Sequence, residues 1–294
     1  MTGAPRFCLL DACAGEKFAG VPMAAVEDAE ALSPSQMLVI AREFNLPLTA
    51  FLLSPRDPTN SARARIFSPQ GECGLRLEAV LALSALIAKS RAGDVLRRGG
   101  LTIALEQGEA CWRCDVIANS AAICYSEAAL ELKPRRADPA LAAADLAAAL
   151  GLGGQEIGFD AHRPSRFEAY GALDLLPVRT REALLKAAWV SKGFPALAPA
   201  GLMLYTNDAW APEAAIEALP LGASPGVEAL VALTGALVEF ERPEDGAHEV
   251  FIDLLHAHER RARVTLRFDI VAGVLERLSL GAQTAFVARG EFCR

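Results

Sequence analysis

The chain has 294 residues, 52% hydrophobic and 22% charged, with a net charge of −7. That is long enough for one large or two ordinary domains, and too apolar for disorder. No basic stretch interleaves with aromatics, which argues against a nucleic-acid partner. No apolar run reaches the ~18–20 residues of a membrane helix.

The opening MTGAPRFCLLDACAGEKFAG lacks the basic-then-apolar layout of a signal peptide, so the expected setting is cytoplasmic. RFCLLDACAG begins as a strand, and GVPMAAVED supplies a turn and a second one. LSPSQMLVIAREFN carries strong helix signals: Ser33 as N-cap, Pro34 at the first helical position and Gln36 completing a capping box. Its apolar stripe is Met37, Ile40, Ala41 and Phe44. LTAFLLSP and SARARIFSP read as two strands joined by the polar turn RDPTN. A wholly apolar helix follows, which Gly93 is expected to help end, then the hairpin LTIALEQGEACWRCDVIA, turning at Gly108, and a strand in AAICYSEAALELK.

A boundary comes at KPRRADPALAAADLAAALGLGG, where Asp138 is expected to cap an alanine-rich helix that Gly151 stops. In the second half RFEAYGALDLLPV reads as strand and TREALLKAAWV as a helix capped by Thr180. GLMLYTN is a strand, a second apolar helix follows, and HEVFIDLLH, ARVTLRFDIVAG and QTAFVARGEF are strands.

The two apolar helices repeat. LEAVLALSALIA (77–88) aligns with VEALVALTGALV (227–238) at a constant offset, with Glu78 on Glu228, Ala79 on Ala229, Leu83 on Leu233 and Ser84 on Thr234. A helix apolar all round is a buried one. Two of them in similar surroundings imply two similar domains, each wrapping strands around its own helix. The expected division is 1–125 and 126–283, with the option that the last strand, about 284–294, returns to the first half.

The seven cysteines are expected as free thiols. Cys111 and Cys114 have metal-pair spacing, but strand residues i and i+3 point to opposite faces, and no second pair accompanies them. His256 and His258 share a face if they lie on a strand, again without a supporting cluster. No metal and no cofactor are expected.

LLDACAGEKFAGVPMAAVEDAEALSPSQMLVIAREFNLPLTAFLL resembles the start of the phenazine-biosynthesis PhzF-like isomerases. Asp11, Phe18, Gly20, Pro22, Asn45, Thr49 and Phe51 carry the likeness. RIFSPQGE resembles the family's Arg-x-Phe-Thr-Pro-x-x-Glu, and LERLSLGAQTAFVARGEF its closing strands. The resemblance implies an α+β, diaminopimelate epimerase-like fold of two pseudo-symmetric halves, each a curved sheet or barrel around a central helix. It also implies cofactor-free proton transfer in an interdomain cleft where two helix N-termini meet, and a homodimer like many members.

Three motifs of the family are altered. Its Ser-Glu-Thr becomes Pro47-Leu48-Thr49, and its Gly-His-Ala-Thr becomes Leu77-Glu78-Ala79-Val80. Its Glu-Asp-Pro-Ala-Thr-Gly-Ser falls in GASPGVEA, so the aspartate becomes Ala223 or Ser224. Leucine cannot transfer a proton. The implied reading is a degenerate site that binds a small molecule in the cleft, with Arg76, Gly74, Ser224 and Gly226 as expected ligand contacts. The first alternative is a divergent isomerase using Glu78 and Glu228 as acid and base, since facing carboxylates drive their pKa values apart. In the second alternative the glutamates only complement the helix dipoles and the protein is a structural homodimer.

Overall fold

The computed structural model describes residues 5–138, 142–187, 201–221, 226–255 and 260–293. They form two compact units. The first comprises Met1–Ala129, Arg260–Arg263 and Leu280–Arg294; the second comprises Leu130–Glu259 and Val264–Ser279.

The first unit begins with β1 (Arg6–Ala12), β2 (Val21–Val26), α1 (Pro34–Phe44), β3 (Leu48–Leu53), β4 (Ala62–Ser68) and the short β5 (Gly71–Glu72). Then come α2 (Leu77–Gly99), β6 (Leu101–Gln107), β7 (Ala110–Ala118) and β8 (Ile123–Ala129). The end of the chain adds the Leu280–Glu291 part of a long strand, here β16. The strand order is β1-β2-β3-β4-β6-β7-β8-β16, and β16 also pairs with β1, so eight strands close into a ring. α2 packs against β1, β2, β6, β7 and β8 and fills the ring. Every residue from Leu77 to Ala88 is buried, which is why this helix has no polar face.

α1 begins as its sequence dictates. Ser33 accepts from the Gln36 amide and Gln36 returns a bond to the Ser33 amide, with Pro34 at the first position. Met37 and Ala41 pack on Val26, Phe51 and Phe67 outside the ring. Strand alternation then sends Leu48, Ala50 and Leu52 to the opposite, inner face.

The second unit contains β9 (Arg135–Ala137), α3 (Ala143–Ala149), β10 (Ser165–Glu168), β11 (Ala172–Pro177), α4 (Arg181–Lys186), β12 (Leu202–Thr206) and β13 (Ile216–Leu221). A 3-10 turn at Val227–Ala229 leads into α5 (Leu230–Glu241). β14 (Gly246–Leu255), most of β15 (Arg261–Val271) and the start of β16 (Val274–Glu291) complete it. Leu146, Leu150, Leu176, Leu184, Leu202 and Leu204 form an outer core under α3 and α4.

The two units share one topology. β1-β2-α1-β3-β4-α2-β6 corresponds to β10-β11-α4-β12-β13-α5-β14. In both series the successive strand pairs run antiparallel, parallel, antiparallel, parallel. The duplicated helices sit at the same point of that series. Their matched hydroxyls make the same back-bond: Ser84 donates to the Val80 carbonyl at 2.8 Å and Thr234 to the Leu230 carbonyl at 3.0 Å.

Three local expectations change, and one strand has no counterpart among them. Gly93 does not end α2, which kinks at Ala92 (φ −139°) and continues to Gly99. The cap of α3 is Ala142, without a side-chain bond, rather than Asp138. RFEAYGALDLLPV is a hairpin, β10 and β11, turning through Gly171 at φ 141°. β9 carries no periodic signal, because three residues are too few to show one.

Candidate functional site

The approach to α2 is built by the β4–β5 hairpin. Arg65 grips Glu72 through two bonds of 2.6 and 2.7 Å, and the Cys73 amide donates to the Ile66 carbonyl. The Gly74 carbonyl accepts from the Gln107 side chain at 3.0 Å. Arg76 is the N-cap residue with extended backbone (φ −141°, ψ 90°), and its carbonyl takes the Ala79 and Val80 amides. Its guanidinium only donates, here to the Leu75 carbonyl, and cannot cap the first-turn N–H groups. Leu77 is fully buried, and Glu78 beside it is 6% exposed.

The start of α5 differs in detail. Gly226 is the N-cap, and its carbonyl accepts from the Ala229 amide. The Glu228 carboxylate accepts the Gly226 N–H at 2.8 Å and is 5% exposed. A carboxylate here satisfies a donor that a helix start leaves open and lies at the positive end of the dipole. Ser224 and Ala223 lie outside the described residues. Leu48 starts β3, opposite Met23, and is 4% exposed.

The loop after β1 is held by an ion pair whose carboxylate is buried and whose guanidinium is partly exposed. Asp11, 2% exposed, accepts the Phe18 amide at 2.6 Å and Arg260 Nη2 at 2.5 Å. Arg260 also donates to the carbonyls of Ala19 (2.6 Å) and Gly20 (3.0 Å). Backbone bonds Ala14–Gln283 and Gly20–Arg261 fix the loop ends. Gly20 is obligatory: at φ 60°, a Cβ would lie 2.2 Å from the Ala12 carbonyl oxygen. In the sequence Arg260 is merely the first of three close arginines, with Arg261 and Arg263. Its bond to Asp11 spans 249 positions, and no local pattern encodes it.

The cysteine pair separates as strand geometry requires, with Cys111 exposed and Cys114 buried. Burial pushes the Cys111 thiol up, and pushes Cys114 up to about 11. Neither favours the thiolate a metal needs. Among the described residues no group of three His, Cys, Asp or Glu side chains converges as a metal site. None of the described helices is long and apolar enough to cross a membrane. His256 and His258 lie outside the described residues. His248 is half-buried, bonded to the Glu244 carbonyl and stacked on Phe268.

Residues 10–168, more than half of the chain, match the model of the phenazine biosynthesis-like protein family, PhzC-PhzF. The chain belongs to this family. Across 97% of its length it is 29% identical to an uncharacterized isomerase of Mesorhizobium japonicum, covering 98% of that protein. It is also similar to the trans-2,3-dihydro-3-hydroxyanthranilate isomerase of Pseudomonas aeruginosa, 36% identical over 35% of this chain and 38% of that one. The crystal structure of a PhzF-family phenazine biosynthesis protein from Bacillus anthracis superposes with a TM-score of 0.82 at 15% identity, covering the whole of both chains. The pseudo-symmetric α+β architecture is therefore the PhzF fold.

Proposed function

We propose that this PhzF-family protein binds a small molecule but does not carry out the proton transfer between carbons that defines a cofactor-free isomerase. Leu48 carries this reading. It stands where the family resemblance places the Ser-Glu-Thr glutamate, and it is a buried aliphatic side chain with no proton to give or take. The Glu228 carboxylate adds support, because it already engages an N–H group at the start of α5 that an anionic substrate would otherwise meet.

A second reading draws on the burial of Glu78 and Glu228 in the first turns of two equivalent helices. Buried carboxylates at matched positions are the raw material of an acid and base pair. Incubation with trans-2,3-dihydro-3-hydroxyanthranilate, followed by NMR, separates the two. The first reading expects conversion no faster than the protein-free control. Conversion that Glu78→Gln abolishes would replace it with the second, and conversion that survives Glu78→Gln would contradict both.

A further inference from the structure

A cluster of nucleophilic and cationic side chains in the first unit belongs to none of the motifs above. Lys89 lies about three turns beyond Glu78 on α2, shortly before the kink at Ala92. Its Nζ sits 3.9 Å from the centroid of the Phe286 ring of β16 and donates to the Ala121 carbonyl in the turn between β7 and β8. Around it are the thiols of Cys8 on β1 and Cys124 on β8, and two further cations, Arg289 on β16 and Lys17 in the loop after β1. Arg289 is the register partner of Cys8 across the β1–β16 pair. We infer that Lys89 is a nucleophilic amine that condenses with a small aldehyde bearing an anionic group, which Arg289 receives.

Of the three nucleophiles, the amine is the one that meets solvent. Cys8 and Cys124 are 0% and 1% exposed, and burial pushes both thiols up, away from the thiolate. Lys89 is half-buried, beside an exposed Ala121 and an exposed Arg289. Its surroundings disfavour the ammonium. Burial pushes the amine down, and the positive charges of Arg289 and Lys17 act in the same direction. Among the described residues no carboxylate pairs with it, whereas Lys133 faces Glu276 at 3.7 Å and Lys186 faces Glu156 at 3.0 Å. A desolvated lysine beside another cation is the setting in which an amine becomes a nucleophile.

The contacts of the neutral amine suit attack. It has two hydrogens and one lone pair. One hydrogen holds the Ala121 carbonyl during the approach, and the Phe286 ring fixes the side chain by packing. The lone pair adds to the aldehyde carbon. The carbonyl oxygen then takes both amine hydrogens and departs as water, and a C=N bond joins Lys89 to the ligand. No oxidant or reductant is consumed. Arg289 supplies a planar, always charged donor for the anionic group.

The test is reductive trapping on the full chain at about pH 7.5, where an ordinary lysine is almost wholly protonated. Glyoxylate and sodium cyanoborohydride are supplied, and peptide mass spectrometry follows the carboxymethylation of each lysine with time. Lys89 should be modified at least about fivefold faster than Lys133 and Lys186. Arg289→Ala should slow the modification of Lys89 by a similar factor with glyoxylate, and by less with acetaldehyde, which has no carboxylate to place. Modification of Lys89 no faster than that of Lys133 and Lys186 would overturn the inference. So would an Arg289→Ala rate that is unchanged with glyoxylate, or reduced equally with both aldehydes. The comparison among lysines needs only the wild-type chain, so it decides the matter even if the variant does not fold.

Discussion

Arg260 and Asp11 form a pair whose value lies in being complete. Asp11 is sealed in the first unit, and Arg260 supplies its counter-charge while tying down two carbonyls of the Phe18 loop. Removing one partner of such a pair strands a charge away from water. Arg260→Ala should therefore lower stability by about 3–5 kcal/mol in urea denaturation. Adding Asp11→Asn in the same chain should recover part of that loss. Glu106 acts by a different route. It accepts from the Asn60 side chain and from the Arg56 and Asp57 amides, which hold its carboxyl below the usual range, the Asn60 bond first among them. Its folded value is depressed, so its stabilisation is complete above the ~4.3 of an unfolded glutamate and is lost as pH falls through the folded value. Urea midpoints measured from pH 7 to pH 3 should fall on acidification, and Glu106→Gln should flatten that fall. Neither set of bonds was legible beforehand. Their partners lie 249 and 46–50 positions away, beyond any periodic pattern.

At the scale of elements, local chemistry and burial pattern were the readable parts. The capping box of α1, the Thr180 cap of α4 and the two apolar helices all follow from residues within one turn of each other. The kink in α2 does not, because it lies at an alanine and the neighbouring glycine stays helical. That difference makes two glycines behave oppositely. A Cβ on Gly93 would meet only Arg97 at 3.6 Å, an ordinary contact. Gly93→Ala should stabilise α2 by roughly 0.5–1 kcal/mol, the usual gain from removing a helical glycine. Gly235 in α5 faces the Phe167 ring, where a Cβ would lie 2.4 Å from the nearest carbon. Phe167 is 4% exposed and has no room to retreat, so Gly235→Ala should destabilise by roughly 1–3 kcal/mol despite its better helix propensity. Thermal denaturation of the two variants should show shifts of opposite sign.

For the whole molecule, the repeat made the two-fold plan visible, while the path of the strands needed coordinates. The ring of the first unit is closed by residues from the chain's own end, Arg6 to Ala12 pairing with Glu291 back to Thr284. Deleting residues 280–294 should leave β1 and β8 with open edges. Hydrogen exchange should then show protection lost along both strands. Retained protection there would mean that the ring closes without β16. The candidate site was readable in part: Leu48, Leu77 and Glu78 stand in plain sequence, whereas the bond from Gly226 to Glu228 depends on the backbone path into α5.

The central proposal, that this PhzF-family chain does not move protons between carbons, is tested most directly by deuterium wash-in. Trans-2,3-dihydro-3-hydroxyanthranilate is held with the full-length protein in D2O, and its carbon-bound positions are followed by NMR. This measurement detects proton transfer even where the equilibrium hides net conversion. The account predicts incorporation no faster than in protein-free buffer. Deuterium entering carbon at a rate proportional to protein concentration, and stopping when the protein is denatured, would contradict it.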